Sequence, residues 1–351
     1  MDRQTLVEKL KNTDETERIY TVEDVLSEKD ESLYPVLISH MYSEQSRLVR
    51  ELIVEAFKVL DVSPYFGEIA SYFESSDAYI RNCAIEIFGS KGEDAVPYLT
   101  SIMDHPNREV RKLILDSLVA TSSKYSIPAL RAGLNDKAPN VMMTAVEYLG
   151  KIYDEDSLED IMTIFEQTAE PMIRISCLET LTIMGKPQTV DRVLSVVGGK
   201  NMESLYKPTV LRLVGEKGST RHLDFLLSFL NNKNTMYFRE IANAVLKIVS
   251  RNDIHKLDEE HTKFMLNNLR NLDGYPEERL TFLQIVSHLD IPDKASLYEE
   301  LASDANENIS LTALEHLAVT NRDRAIRLTE KKLKMADGEF RRMLQGLLEI
   351  L

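Results

Sequence analysis

The sequence predicts an all-α fold, a right-handed α-solenoid of about eleven helix-pair repeats. Three observations predict it. One pattern, an apolar residue, then Arg, then a helical run of apolar residues, recurs along almost the whole chain. The Arg position falls at Arg18, Arg50, Arg81, Arg111, Met142, Arg174, Lys207, Arg239, Arg279, Ser310 and Arg341, in steps of 32, 31, 30, 31, 32, 33, 32, 40, 31 and 31 residues. No segment shows the alternation of a strand. A period of this size is the mark of stacked repeats, each contacting only its neighbours.

The second helix of each repeat follows from the columns. With the Arg position as zero, position +7 is apolar in every repeat, from Val25 and Phe57 to Leu317 and Leu348. Position +4 fails only at Asn243 and Gln345, and position −1 only at Glu17 and Glu278. Apolar residues at −1, +3, +4 and +7 form the buried stripe of an amphipathic helix. Four residues before the Arg stand capping residues, Asp14, Ser46, Asp77, Asn107, Asn306 and Asp337. Their side chains can accept from the orphan amides of a helix start.

A first helix precedes each cap, for example over 33–42, 65–73, 96–103, 127–134, 158–165 and 223–230. Pro35, Pro64, Pro97 and Pro128 begin several of them, and Pro208 fits only in a first turn, where a missing amide costs nothing. Residues 1–13 read as a starting helix and 14–240 as regular repeats. Residues 241–278 form a longer repeat, with a loop around Asp273-Gly274-Tyr275-Pro276, and residues 279–351 the closing repeats.

In "DAVPYLTSIMDHPNREVRKLILDSL" and "YSIPALRAGLNDKAPNVMMTAVEYLGKI" the pattern resembles HEAT repeats, in particular the short bacterial type of phycobilisome-lyase-like proteins. The resemblance spans essentially residues 14–351 and implies an armadillo-type scaffold. It also implies an alternative, a lyase-like subunit acting on a tetrapyrrole chromophore. Fold does not decide between them.

The net charge of −15 is unevenly placed. Residues 1–180 hold 18 Lys+Arg against 33 Asp+Glu, and residues 181–351 hold 24 of each. The excess traces to position +5, which reads Glu23, Glu55, Glu86, Asp116, Glu147 and Glu179 before breaking at Arg212. This position lies off the buried stripe, and in HEAT folds that side resembles the concave wall. Glu55, Glu86, Asp116, Glu147 and Glu179 are therefore expected to receive a basic segment of another protein, with Tyr79 and Tyr148 as apolar anchors. Tyr42 and Tyr206 reach the same groove in this reading. Arg50, Arg81, Arg111, Arg174, Arg239, Arg279 and Arg341 are assigned a structural role, bridging to capping acids or carbonyls.

Chemistry finds little support. Gly198-Gly199 lacks a phosphate-loop sequel and reads as a helix stop or inter-repeat turn. The seven histidines are scattered, and no His-Glu dipeptide of the kind found in HEAT-type di-iron hydroxylases occurs. No GxSxG elbow is present. Cys83 and Cys177 are three repeats apart, so they are expected as free thiols in a reducing cytoplasm. No charged-then-apolar leader and no apolar run of bilayer length appears, so no membrane contact is expected. Nucleic acid is disfavoured by the acidic first half, and the basic stretch 322–342 is interleaved with Asp323, Glu330, Asp337 and Glu339. The reading is a non-catalytic, cofactor-free interaction scaffold. The closing "MLQGLLEIL", with Leu344, Leu347, Leu348 and Leu351, offers a self-association end for a homodimer.

Overall fold

In a computed structural model, which describes residues 1–230, 237–271 and 275–351, the chain forms two compact units, Met1–Met184 and Gly185–Leu351. The first contains α1 (Arg3–Lys9), α2 (Glu15–Glu28), α3 (Tyr34–His40), α4 (Arg47–Val59), α5 (Phe66–Ala70), α6 (Ala78–Ser90), α7 (Val96–Ser101), α8 (Arg108–Ala120), α9 (Ile127–Gly133), α10 (Pro139–Lys151), α11 (Leu158–Gln167) and α12 (Pro171–Met184). The second contains α13 (Pro187–Val196), α14 (Lys207–Lys217), α15 (Leu223–Leu230), α16 (Phe238–Arg251), α17 (Glu259–Arg270), α18 (Pro276–His288), α19 (Lys294–Leu301), α20 (Glu307–Thr320), α21 (Arg322–Leu333) and α22 (Gly338–Ile350). Among the described residues no strand occurs. Every repeat-column helix is even-numbered and every preceding helix odd-numbered, so the fold is the all-α repeat stack expected. The unit boundary falls beside the charge break and not at the long step between Arg239 and Arg279. Asp273 and Gly274 of the loop expected there lie outside the described residues.

α4 shows why these segments fold as they do. The Ser46 hydroxyl accepts from the Val49 amide at 3.2 Å, and Val49, Ile53, Val54 and Phe57 are buried at −1, +3, +4 and +7. Asp14, Asp77, Asn107 and Asn306 cap in the same way. Asp337 does not: its side chain makes no capping bond, and Gly338 at φ +54° makes the turn into α22 instead. Pro35, Pro97, Pro128 and Pro208 all occupy a first helical turn. Gly198 and Gly199, both at positive φ, lie inside the α13–α14 pair, so they form an intra-repeat turn and not an inter-repeat one.

One column is misaligned. In α16 the buried residues are Ile241, Ala242, Ala244, Val245, Ile248 and Val249, while Asn243 is exposed and Leu246 half-buried. Counting from Phe238 restores the buried +3, +4 and +7 positions as Ile241, Ala242 and Val245. Arg239 is therefore one place beyond the column. It lies half-exposed and pairs with Glu277 (2.5 Å) and Glu278 (3.3 Å). The apolar stripe sets the helix rotation, and the charged residue follows it.

Within each unit the even helices lie side by side. Small residues permit this. A Cβ on Gly89 would come 2.8 Å from Ala120 Cβ, one on Gly150 2.8 Å from Thr180 Cγ2, and one on Gly215 2.8 Å from Ala244 Cα. Thr180 Oγ1 also donates to the Val146 carbonyl at 3.1 Å, joining α12 to α10. Gly150→Val is expected to destabilise residues 1–184 by about 1–3 kcal/mol through overpacking, measurable by urea denaturation. Gly150→Ala should cost less, because a methyl asks a smaller shift of Thr180.

The Arg column stitches the turns. Arg18 Nη1 donates to the Asn12 and Thr13 carbonyls, Arg81 Nη1 to Ser75 and Ser76, and Arg111 Nη1 to His105 and Pro106. These carbonyls lie five and six residues earlier, in the helix's own entry turn. The rest of the guanidinium reaches the next pair's turn: Arg18 to Glu44, Arg50 to Asp77, Arg111 to Asp136 and Arg279 to Asp304. A planar guanidinium meets a carbonyl and a carboxylate at once through N–H groups held in a fixed fork. Among the described residues, Arg341 keeps only a 3.4 Å contact to the Ala336 carbonyl, and Arg174 Nε is buried without a hydrogen-bond partner. Where Ser310 replaces Arg, Lys332 on α21 supplies the cation. Its Nζ lies 2.5 Å from both the Ala302 carbonyl and Ser310 Oγ.

Candidate partner-binding surface

Position +5 falls on the solvent-exposed side of the even helices. Glu23, Glu55, Glu86, Glu147 and Glu179 are all exposed there, while Asp116 is half-buried. Glu86 and Glu147 have no ion-pair partner within 4 Å among the described residues, and Glu55 accepts from Lys58 at 2.6 Å. Exposed pairs of this kind hold weakly and leave the carboxylate available.

Asp116 differs from the rest of the row. It accepts from the Tyr148 hydroxyl at 2.5 Å and from Lys112 at 3.1 Å. Burial, then the bond to Asp116, pushes the Tyr148 phenol well above its ordinary range. The two residues named as an acid and an anchor thus satisfy one another across α8 and α10. Tyr79 is half-buried, with the Arg50 guanidinium 5.7 Å from its ring centre, and burial followed by Cys83 raises its phenol to about 12. Tyr206 is 4% exposed and belongs to the core, so it does not reach a groove. Tyr42 is exposed and bonds to Ser71 Oγ at 2.9 Å.

The charge reading missed apolar company along the same line. Met143 stands four residues before Glu147, and Ile175 and Ile183 flank Glu179 at equal spacing. Residues i, i+4 and i+8 share a helix face, and Ile183 is 46% exposed. Position +1 and +9, read together with +5, carried this signal. The α10–α12 end of the surface is therefore mixed acidic and apolar. At α4–α8, Arg47, Lys58, Arg108 and Lys112 join the acids.

Among the described residues, no cluster of three His, Cys, Asp or Glu is placed to hold a metal, and no helix is long and apolar enough to cross a membrane. Burial raises the Cys83 thiol to about 11 and the Cys177 thiol to about 12, so neither is poised as a nucleophile. At α22, Phe340 and Leu344 are buried against Leu333 and Ala336, Leu347 and Leu348 are half-buried, and Ile350 is exposed.

Residues 96–182 and 127–202 match a family model described as HEAT repeats. That match is to the repeat in general and does not carry the lyase-like subtype. No curated protein matches the chain in sequence. Similar solved structures include Kap95p, whose binding induces the switch loops of RanGDP to adopt the GTP-bound conformation. It has a TM-score of 0.62 at 12% identity, over 99% of this chain and 55% of that one. Importin beta gives a TM-score of 0.56 at 13% identity, over 97% and 56%. The karyopherin Kap121p bound to the extreme C-terminus of the protein phosphatase Cdc14p gives 0.50 at 12%, over 94% and 47%. The chain spans about half the length of these proteins, and identity at this level establishes the shared fold alone.

Proposed function

We propose that this HEAT-repeat chain is a non-catalytic scaffold or adaptor that receives a basic segment of a partner protein. The segment lies along the even-helix face of residues 1–184. One observation carries the reading: a single position of successive even helices presents carboxylates from Glu23 to Glu179, all exposed except the half-buried Asp116, with Ile175 and Ile183 beside the last of them. An ordered row of one charge on a rigid support favours a partner of the opposite charge and penalises others. Two of the similar solved proteins, Kap95p and Kap121p, were captured with protein partners, which supports a protein as the occupant. The buried free thiols Cys83 and Cys177 suit a reducing, cytoplasmic setting.

The test reverses charge without touching the core. Glu55→Lys/Glu86→Lys/Glu147→Lys alters three exposed residues and spares Asp116, which has the structural bond to Tyr148. Affinity capture followed by mass spectrometry is expected to recover a partner with the wild type and lose it with the folded variant. Identical captured sets would remove the basis for the proposal.

A further inference from the structure

A cleft of about 630 Å³ opens on the other layer, between the odd helices α1 and α3. Its lining includes Arg3, Val7, Leu10 and Lys11, which share one face of α1 and the turn that follows, and Val36, Ser39, His40 and Ser43 of α3 and its exit. Its floor is a satisfied ion cluster. Arg18 reaches both Glu44 oxygens at 2.8 Å, and His40 Nε2 lies 2.8 Å from Glu44 Oε2. The Ser46 amide adds a bond of 2.7 Å. Glu44 is 2% exposed, so its charge is spent inside the protein and none is left to face a ligand.

The remaining charged groups at the cleft are of one sign. Arg3 and Lys11 are exposed and make no ion pair or side-chain hydrogen bond among the described residues. Ser39 and Thr13 hydroxyls line the wall beside them. Both cations stand beside the apolar wall, in a unit that holds 18 Lys+Arg against 33 Asp+Glu. The space falls within the range of about 300–1,000 Å³ typical of small-ligand sites, where an apolar lining binds the body and a few polar groups fix one end.

We propose that the α1–α3 cleft binds an organic anion, a carboxylate or phosphate carried on a short apolar chain. Arg3 and Lys11 take the anion, and the chain lies against Val7, 36% exposed, above the buried Leu10 and Val36. Such a group comes either from a free small molecule or from the terminal carboxylate of a polypeptide. The site lies apart from the even-helix face, so it stands or falls independently of the adaptor reading.

The probes are sodium octanoate and octyl phosphate for the free source, and a short peptide ending in Leu-Leu for the polypeptide source. Octylammonium and the same peptide with an amidated end are the controls. Isothermal titration of the full chain is expected to show saturable binding of the anions and none of octylammonium. Arg3→Ala/Lys11→Ala should weaken it by about tenfold or more, since each charge-assisted contact contributes strongly. Ser39→Glu, which places a carboxylate in the cleft, should abolish it, and Lys9→Ala, on α1 but outside the lining, should leave it unchanged. Binding of the free-ended peptide but not its amide assigns the polypeptide source, and binding of the small anions alone assigns the free one. Absence of saturable binding by every anionic probe, equal binding of octylammonium, or undiminished binding by both cleft variants would overturn the proposal.

Discussion

Glu44→Gln is expected to cost residues 1–184 about 3 kcal/mol at neutral pH. Burial alone would raise this carboxyl, but Arg18, the Ser46 amide and His40 overcome it and hold it at about 2, against an ordinary 4.5. A depression from 4.5 to about 2 corresponds to about 3 kcal/mol of stability by linkage, at about 1.4 kcal/mol per unit. The sign is that of a lowered carboxylate. The contribution is complete above pH 4.5, declines as pH falls, and is gone below about pH 2. Hydrogen exchange across α1–α4 should therefore show wild type and Glu44→Gln far apart at neutral pH and converging in acid. Parallel curves at every pH would mean that shape, not charge, is what Glu44 supplies.

Arg279→Ala should be the most damaging substitution in residues 185–351. Arg279 is 4% exposed and forks onto Asp304, while its Nε donates to the Leu269 carbonyl at 2.9 Å. Burial would raise the Asp304 carboxyl, yet Arg279 and the Asn306 amide bring it below its ordinary value. Removing one member of a buried pair leaves the other charge without compensation, at a cost of about 3–5 kcal/mol. Arg239→Ala is the comparison. Its side chain is 52% exposed, and its loss should stay within about 1 kcal/mol. Urea denaturation of both variants decides it, and equal losses would show that Arg279 is replaceable by water.

The repeat and its buried stripe were legible because +7 is apolar in every repeat, and helix rotation follows such a stripe. The slip in α16 was not legible, because Arg239 and Phe238 are adjacent and both frames contain apolar residues. The acidic row could be read from spacing alone. The bond between Asp116 and Tyr148 could not, since it joins residues 32 positions apart on neighbouring helices. Lys332 escaped a column search for the same reason: it arrives from another helix to fill the place that Ser310 leaves. The α1–α3 cleft depends on how two short helices rest on the Arg18–Glu44 floor, which is a matter of packing and has no local pattern.

The charge ledger and the unit boundary have a joint consequence for how the chain responds to its medium. Met1–Met184 is a polyanion of net −15, whereas Gly185–Leu351 holds 24 cations and 24 anions. At physiological ionic strength the screening length is about 8 Å, and it lengthens steeply on dilution. Mobile ions therefore act as a dial on associations made through the first unit. The second unit's charges sum to zero, so salt has less net field there to screen. A titration with salt is therefore expected to weaken binding of a basic segment to the first unit.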